Sequence, residues 1–169
     1  LIIFIIEQEI TELGLKIIDG NKIERTQESN LSTELSQVKR NLLIDFGESG
    51  YHLPDVDIVI YQPETLKIIA VLSSKVTLRE RVAQIGYWKY KLLSQSLTEH
   101  IKVYFVTLDE DSTLTVRYPA KKGRAIVEND LDGSYVLTEI NIEESPKVKK
   151  FDKFINDLKV LLATNLMES

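Results

Sequence analysis

Runs of apolar residues change their spacing several times along the chain, and each change marks an element. From Phe4 to Ile18, apolar residues at 5, 6, 10, 13, 17 and 18 recur at helical spacing, with Glu7, Glu9, Glu12 and Lys16 largely between them. Asp19-Gly20-Asn21 is expected to stop that helix. Leu31, Leu35, Val38 and Leu42 form one stripe of a second helix over 31–42, with Ser29 or Asn30 as its N-cap. A short strand at 42–46, the turn Gly47-Glu48-Ser49-Gly50 and a β-branched strand from Asp55 to Tyr61 follow. Gln62-Pro63-Glu64-Thr65 bends the chain into a strand over 66–74, so these two strands are expected to form an antiparallel hairpin.

Thr77 caps a long amphipathic helix running to about Ser96, and Thr77-Leu78-Arg79-Glu80 has the form of a capping box. Its stripe of Leu78, Val82, Ile85, Leu92 and Leu93 packs on the sheet, while Ile101 to Leu108 reads as a buried strand. The segment 109–146 is less regular: a short strand at 113–117, a basic loop at Lys121-Lys122-Gly123-Arg124, and a strand near Tyr135-Val136-Leu137. Val148 to Leu166 reads as a closing helix with Phe151, Phe154, Ile155, Leu158, Leu161 and Leu162 inward. The whole describes one mixed α/β domain over 1–169.

Composition narrows the chemistry. The chain has 169 residues, 43% hydrophobic and 28% charged, which fits a globular core without a disulfide or metal staple. With no cysteine, thiolate zinc sites, iron–sulfur clusters and thiol nucleophiles are excluded. The apolar opening, residues 1–6, is cut by Glu7, Glu9 and Glu12 well short of the roughly 20 residues of a membrane span, and no basic n-region precedes it. The expected compartment is the cytoplasm. Residue 1 is Leu, which fits a piece of a longer chain.

Residues two apart on a strand share a face, so Asp55 and Asp57 are expected together on one strand of the hairpin, and Ser73 and Lys75 on the other. Folding the hairpin gathers two carboxylates, a hydroxyl and an ammonium at one end of otherwise apolar strands. Glu80 and Gln84, one helical turn apart, follow close by. Hard oxygen ligands suit Mg²⁺, which polarises a phosphoryl oxygen, while a lysine stabilises developing negative charge; the cluster therefore points to phosphodiester hydrolysis. His52 and His100 lack partner spacings for a metal pair or a triad and read as structural.

Pro54-Asp55, an apolar hairpin and Ser73-Ser74-Lys75 resemble the signature of PD-(D/E)xK nucleases, with Ser73 where the second acid usually stands. The stretch from Lys75 through Leu78-Arg79-Glu80-Arg81 to Gln84 resembles one found in type II restriction endonucleases. The resemblance covers about 31–108 and implies a restriction-endonuclease-like αβββαβ core with extra helices at both ends. It implies Mg²⁺ held by Asp55 and/or Asp57 with Glu80 replacing the acid missing at Ser73, and Lys75 acting on the attacking water. It also implies double-stranded DNA as substrate, a homodimer, and a cognate DNA methyltransferase in the same system. A repair or junction-resolving nuclease of this fold, or a noncatalytic DNA-binding module, are the alternatives.

The net charge of −5 argues against a nucleic-acid partner only until its distribution is read. Six basic residues between Lys75 and Lys102 face only Glu80 and Glu99, and Arg117 to Arg124 adds four more with no acid. Glu128 to Glu144 holds six acids and no base. Arg79, Arg81, Gln84, Lys121, Lys122 and Arg124 are thus the expected DNA contacts, arginine being suited to bidentate pairing with phosphate or guanine. Tyr87, Trp88 and Tyr90 are read as filling gaps between helix and sheet.

Overall fold

A computed structural model describes residues 1–78 and 81–167. Helix α1 (Ile2–Glu12) buries Ile2, Ile6 and Ile10. It ends in a Schellman turn: Gly14 has φ +73°, its N–H donates to the Thr11 carbonyl, and the Leu15 N–H reaches back to Ile10 at 3.1 Å. The helical spacing that extends to Ile18 is cut there, and Lys16–Asp19 runs as strand β1 instead. Asp19-Gly20-Asn21 begins an element as well as ending one. The Asp19 carboxylate accepts the Asn21 N–H at 2.8 Å and caps α2 (Gly20–Arg25). Helix α3 (Thr33–Asn41) is capped by Ser32, whose Oγ accepts the Leu35 N–H, and not by Ser29 or Asn30, which lie in a preceding 3₁₀ turn.

The first expected strand shrinks to β2 (Ile44–Asp45), which pairs with β3 (Tyr51–His52) in a small separate ribbon. The hairpin forms as expected from β4 (Ile58–Tyr61) and β5 (Ile68–Lys75), antiparallel with Ile58 opposite Leu72. The other edge of β4 takes β1, also antiparallel. Helix α4 (Arg81–Leu93) then leads to β6 (Lys102–Thr107), which lies parallel to β5. The Leu78 carbonyl accepts the Arg81 and Val82 N–H groups, while Glu80 of the expected capping box lies outside the described residues.

Residues 113–117 form turns rather than the expected strand, and the basic loop at 121–124 opens α5 (Lys122–Asp130). Strands β7 (Gly133–Val136) and β8 (Val148–Lys150) continue the sheet in parallel, so the last helix, α6 (Phe154–Met167), begins after a 3₁₀ turn and not at Val148. The six-stranded order is β1-β4-β5-β6-β7-β8. The αβββαβ succession is thus α1, β1, β4, β5, α4, β6. It starts at residue 2 rather than 31, with α2, α3 and the ribbon inserted before β4.

Strand alternation separates two cores. Val59, Val71, Val103 and Phe105 pack with Val38 and Leu42 of the α3 region, Val82, Ile85 and Leu92 of α4 and Val127 of α5. Ile58, Ile60, Leu72, Tyr104 and Val106 pack with Ile6 and Ile10 of α1 and with Phe154 and Leu158 of α6. A sheet covered on both faces explains why its central strands are apolar throughout. No described helix is long and apolar enough to cross a membrane.

Candidate active site

Polar side chains gather where β4 begins and β5 ends. Asp57 precedes β4 by one residue, and its N–H donates to the Leu72 carbonyl at 3.0 Å, which locks it against β5. Its carboxylate then meets the strand end: Oδ2 accepts the Ser74 N–H at 2.7 Å, and Lys75 Nζ lies 3.1 Å from Oδ2 and 3.3 Å from Oδ1. The Asp57 and Lys75 side chains are 27% and 32% exposed, so the ion pair is held by the sheet yet open to a ligand. Asp57 and Lys75 line an open cavity of about 380 Å³ together with Ser74, Asp19 and Asn21.

Asp55, the aspartate of the literal Pro-Asp pair, goes elsewhere. It is exposed, and its Oδ2 accepts Gln84 Nε2 of α4 at 2.9 Å. Because a carboxylate only accepts, the Gln84 amide nitrogen must face Asp55, which turns its Oε1 outward toward Arg81 Nη1 at 3.5 Å. The expected pairing of Asp55 and Asp57 along one strand is therefore split: β4 is regular only from Ile58, and the two carboxylates serve different neighbours. Ser73 is buried, 4% exposed, in register with Phe105 of β6. Arg79 and Glu80 lie outside the described residues.

The basic residues also separate. Arg81, Lys121 and Lys122 are exposed and line one open cavity of about 840 Å³ with Thr77 and Gly123, between the starts of α4 and α5. Lys121 Nζ donates to the Asp111 carbonyl at 3.0 Å. Arg124 is a correction to the expected DNA contacts: its side chain is fully buried, with Nε on Glu128 Oε1 at 3.0 Å, Nη2 on the Glu143 carbonyl at 2.6 Å and Nη1 on the Leu114 carbonyl. It faces residues 114 and 143 rather than solvent, so no phosphate reaches it. His52 and His100 are bonded to the carbonyls of Ser49 and Ile68. Sequence reasoning missed Asp19, Gly20 and Asn21; their only signal is turn chemistry, and the pairing of β1 with β4 brings Asp19 and Asn21 to the cavity and Gly20 against Asp57, whose carbonyl accepts the Gly20 N–H.

Comparison with known proteins adds the following. Residues 34–157 match the family described as BsaWI restriction endonuclease type 2. A protein of Methanocaldococcus jannaschii named as the type II restriction enzyme MjaVIP is 38% identical over 159 residues, covering 91% of this chain and 68% of the relative. One of Helicobacter pylori, named as the type II restriction enzyme HpyAORF263P, is 36% identical over 116 residues, covering 65% of this chain and 60% of its own. Among solved structures, the PspGI–substrate DNA complex aligns at TM-score 0.51 and 18% identity over 96% of this chain and 60% of that one. The pre-specific BsaWI–DNA complex aligns at 0.51 and 15%, over 94% and 59%. These likenesses show the fold alone, and the chain spans about three fifths of the two aligned structures.

Proposed function

Because the chain belongs to the BsaWI family of type II restriction endonucleases, we propose that it hydrolyses phosphodiester bonds of double-stranded DNA at a specific sequence with Mg²⁺ as cofactor. The observation that carries this reading is the contact of Lys75 Nζ with the Asp57 carboxylate at the open end of the hairpin. The donor set fits the ion. An all-protein cage is not required, because the Asp57 carboxylate lines the open cavity as a hard oxygen donor. Mg²⁺ instead takes one or two carboxylates and completes its shell with water and substrate phosphate.

In this reading Asp57 is the principal ligand, and Glu80 supplies the carboxylate that Ser73 does not. Bound there, Mg²⁺ supplies Lewis acidity toward a phosphoryl oxygen. Lys75 holds the attacking water and stabilises the negative charge that grows on the phosphate. Asp55 holds Gln84 so that its amide oxygen faces outward, and Gln84 and Arg81 engage the duplex with Arg79. Lys121 and Lys122 extend the basic surface along the backbone, a sequence-independent attraction that weakens with salt. Cutting both strands of a symmetric site calls for two such centres, hence a homodimer. A methyltransferase that protects host DNA, and a cytoplasmic location, complete the proposal.

The test is incubation with plasmid DNA and Mg²⁺, followed by sequencing of the cut ends. Discrete ends at one motif are expected. Unspecific fragments would assign a repair-type nuclease. Retardation of duplex without cleavage would support a noncatalytic binding module, the second reading, which the serine at position 73 favours.

A further inference from the structure

We propose that Gly20 is a positioning residue for Asp57, a backbone wedge that sets where the carboxylate stands relative to Lys75. This inference rests on the nuclease reading above. Gly20 opens α2, and its φ is not among the left-handed ones, so backbone conformation does not demand a glycine there. Space does. A Cβ on Gly20 would stand 2.1 Å from the Val56 carbonyl oxygen, 3.0 Å from the Val56 carbonyl carbon and 3.3 Å from that of Asp57. All three are main-chain atoms, which cannot swing aside as a side-chain tip does.

The segment they belong to is held from both sides. The Gly20 N–H donates to the Asp57 carbonyl at 2.9 Å, and the Asp57 N–H donates to Leu72 of β5 at 3.0 Å. The Asp19 carboxylate fixes the turn by accepting the Asn21 N–H at 2.8 Å. Residues 56 and 57 are thus clamped between the start of α2 and the strand that ends in Lys75. A methyl group at position 20 must push them by about 1 Å, and a misplacement of that size in a catalytic group costs on the order of 10²-fold in rate.

The experiment compares the wild type with Gly20→Ala, Asp19→Ala, Asp19→Asn and Gly86→Ala. Gly86 lies in α4 with its nearest obstacle, Asp130 Oδ2, at 3.7 Å, an ordinary van der Waals contact, and serves as the control for the same substitution without a clash. Three quantities are measured: thermal melting, single-turnover cleavage at saturating and subsaturating duplex with Mg²⁺, and Mn²⁺ binding to the DNA-free protein by calorimetry. Gly20→Ala is expected to melt cooperatively, to lose about 10²-fold in the saturated rate with the half-saturating duplex concentration unchanged, and to bind Mn²⁺ more weakly. Gly86→Ala is expected to match the wild type. A folded Gly20→Ala with wild-type rate and Mn²⁺ affinity overturns the proposal. Should Gly20→Ala fail to fold, Asp19→Ala read against Asp19→Asn decides: the asparagine keeps an acceptor for the Asn21 N–H and removes only the charge that Asp19 brings to the cavity, so a saturated rate and Mn²⁺ affinity lower in the alanine variant than in the asparagine variant support the wedge, and equal values overturn it. If the wild type itself cleaves no DNA, the nuclease reading fails, and calorimetry alone then judges the wedge by whether Gly20→Ala lowers Mn²⁺ affinity.

Discussion

Arg124 gives the clearest separation between a structural and a DNA-binding role. Truncation to alanine removes a fully buried guanidinium and strands the Leu114 and Glu143 carbonyls and the Glu128 carboxylate. Each buried acceptor left without a donor costs about 1–3 kcal/mol; the Leu114 carbonyl bears this in full, and the part-buried Glu143 carbonyl and the Glu128 carboxylate, 24% exposed, bear it in part. These costs overlap, so the expected loss is about 4 kcal/mol, a large share of the roughly 5–15 kcal/mol that typical domains possess. For a chain of this length that corresponds to a melting point lower by roughly 8–16 °C. Urea unfolding of the wild type and Arg124→Ala gives the loss directly. A phosphate contact would instead leave stability intact and reduce the salt dependence of duplex binding by about one unit of slope. Near-wild-type unfolding together with a shallower salt slope, measured below the melting range of both proteins, would refute the burial argument.

Lys75→Ala is expected to abolish Mg²⁺-dependent cleavage while a gel shift still detects duplex binding; full cleavage by this variant removes Lys75 from the mechanism. Asp132→Ala is expected to cost roughly 3–5 kcal/mol in chemical denaturation. It leaves Lys89, whose side chain is only 9% exposed, without the carboxylate at 2.6 Å, and it frees the Val103 N–H. His100 sets a pH dependence. Burial first, and then the nearby Lys67 charge, hold its imidazole below the usual histidine value. As pH falls below about 6.5 the unfolded chain takes up a proton that the folded one resists, so stability declines until the folded value is passed. The urea midpoint of His100→Gln should fall less between neutral and mildly acidic pH than that of the wild type, and equal slopes would contradict the assignment.

The hairpin and its polar end were legible because a short apolar run rich in β-branched residues and bounded by turn residues is a local signal: Ile58 to Tyr61 and Ile68 onward can serve little else, and Lys75 falls at the strand end by counting. The start of the fold was not. Ile17 and Ile18 satisfy helical spacing, and only the backbone turn at Gly14 and the partner strand β4 make them β1. That single misreading moved the beginning of the core and hid the placement of Asp19-Gly20-Asn21 beside the hairpin. Between 109 and 124 order comes from buried side chains that satisfy backbone groups, some local and some distant in the chain. Buried Asp109 accepts the Thr113 and Leu114 N–H groups, and Arg124 ties residue 114 to residue 143. A basic run at 121–124 looks the same in sequence whether its last member faces solvent or core.

Only Val76 and Thr77 separate the end of β5 at Lys75 from Leu78, whose carbonyl already accepts the first helical bonds of α4. The Thr107 hydroxyl, donating to the Val76 carbonyl at 3.1 Å, pins that junction to the neighbouring strand. So short a link, pinned in this way, leaves little chain between the lysine and the first helical hydrogen bonds in which a tilt of the helix could be absorbed. An engineer who seeks a new binding preference in this scaffold should exchange side chains at the helix start and leave the helix angle alone, so that the Asp57–Lys75 pair keeps its place.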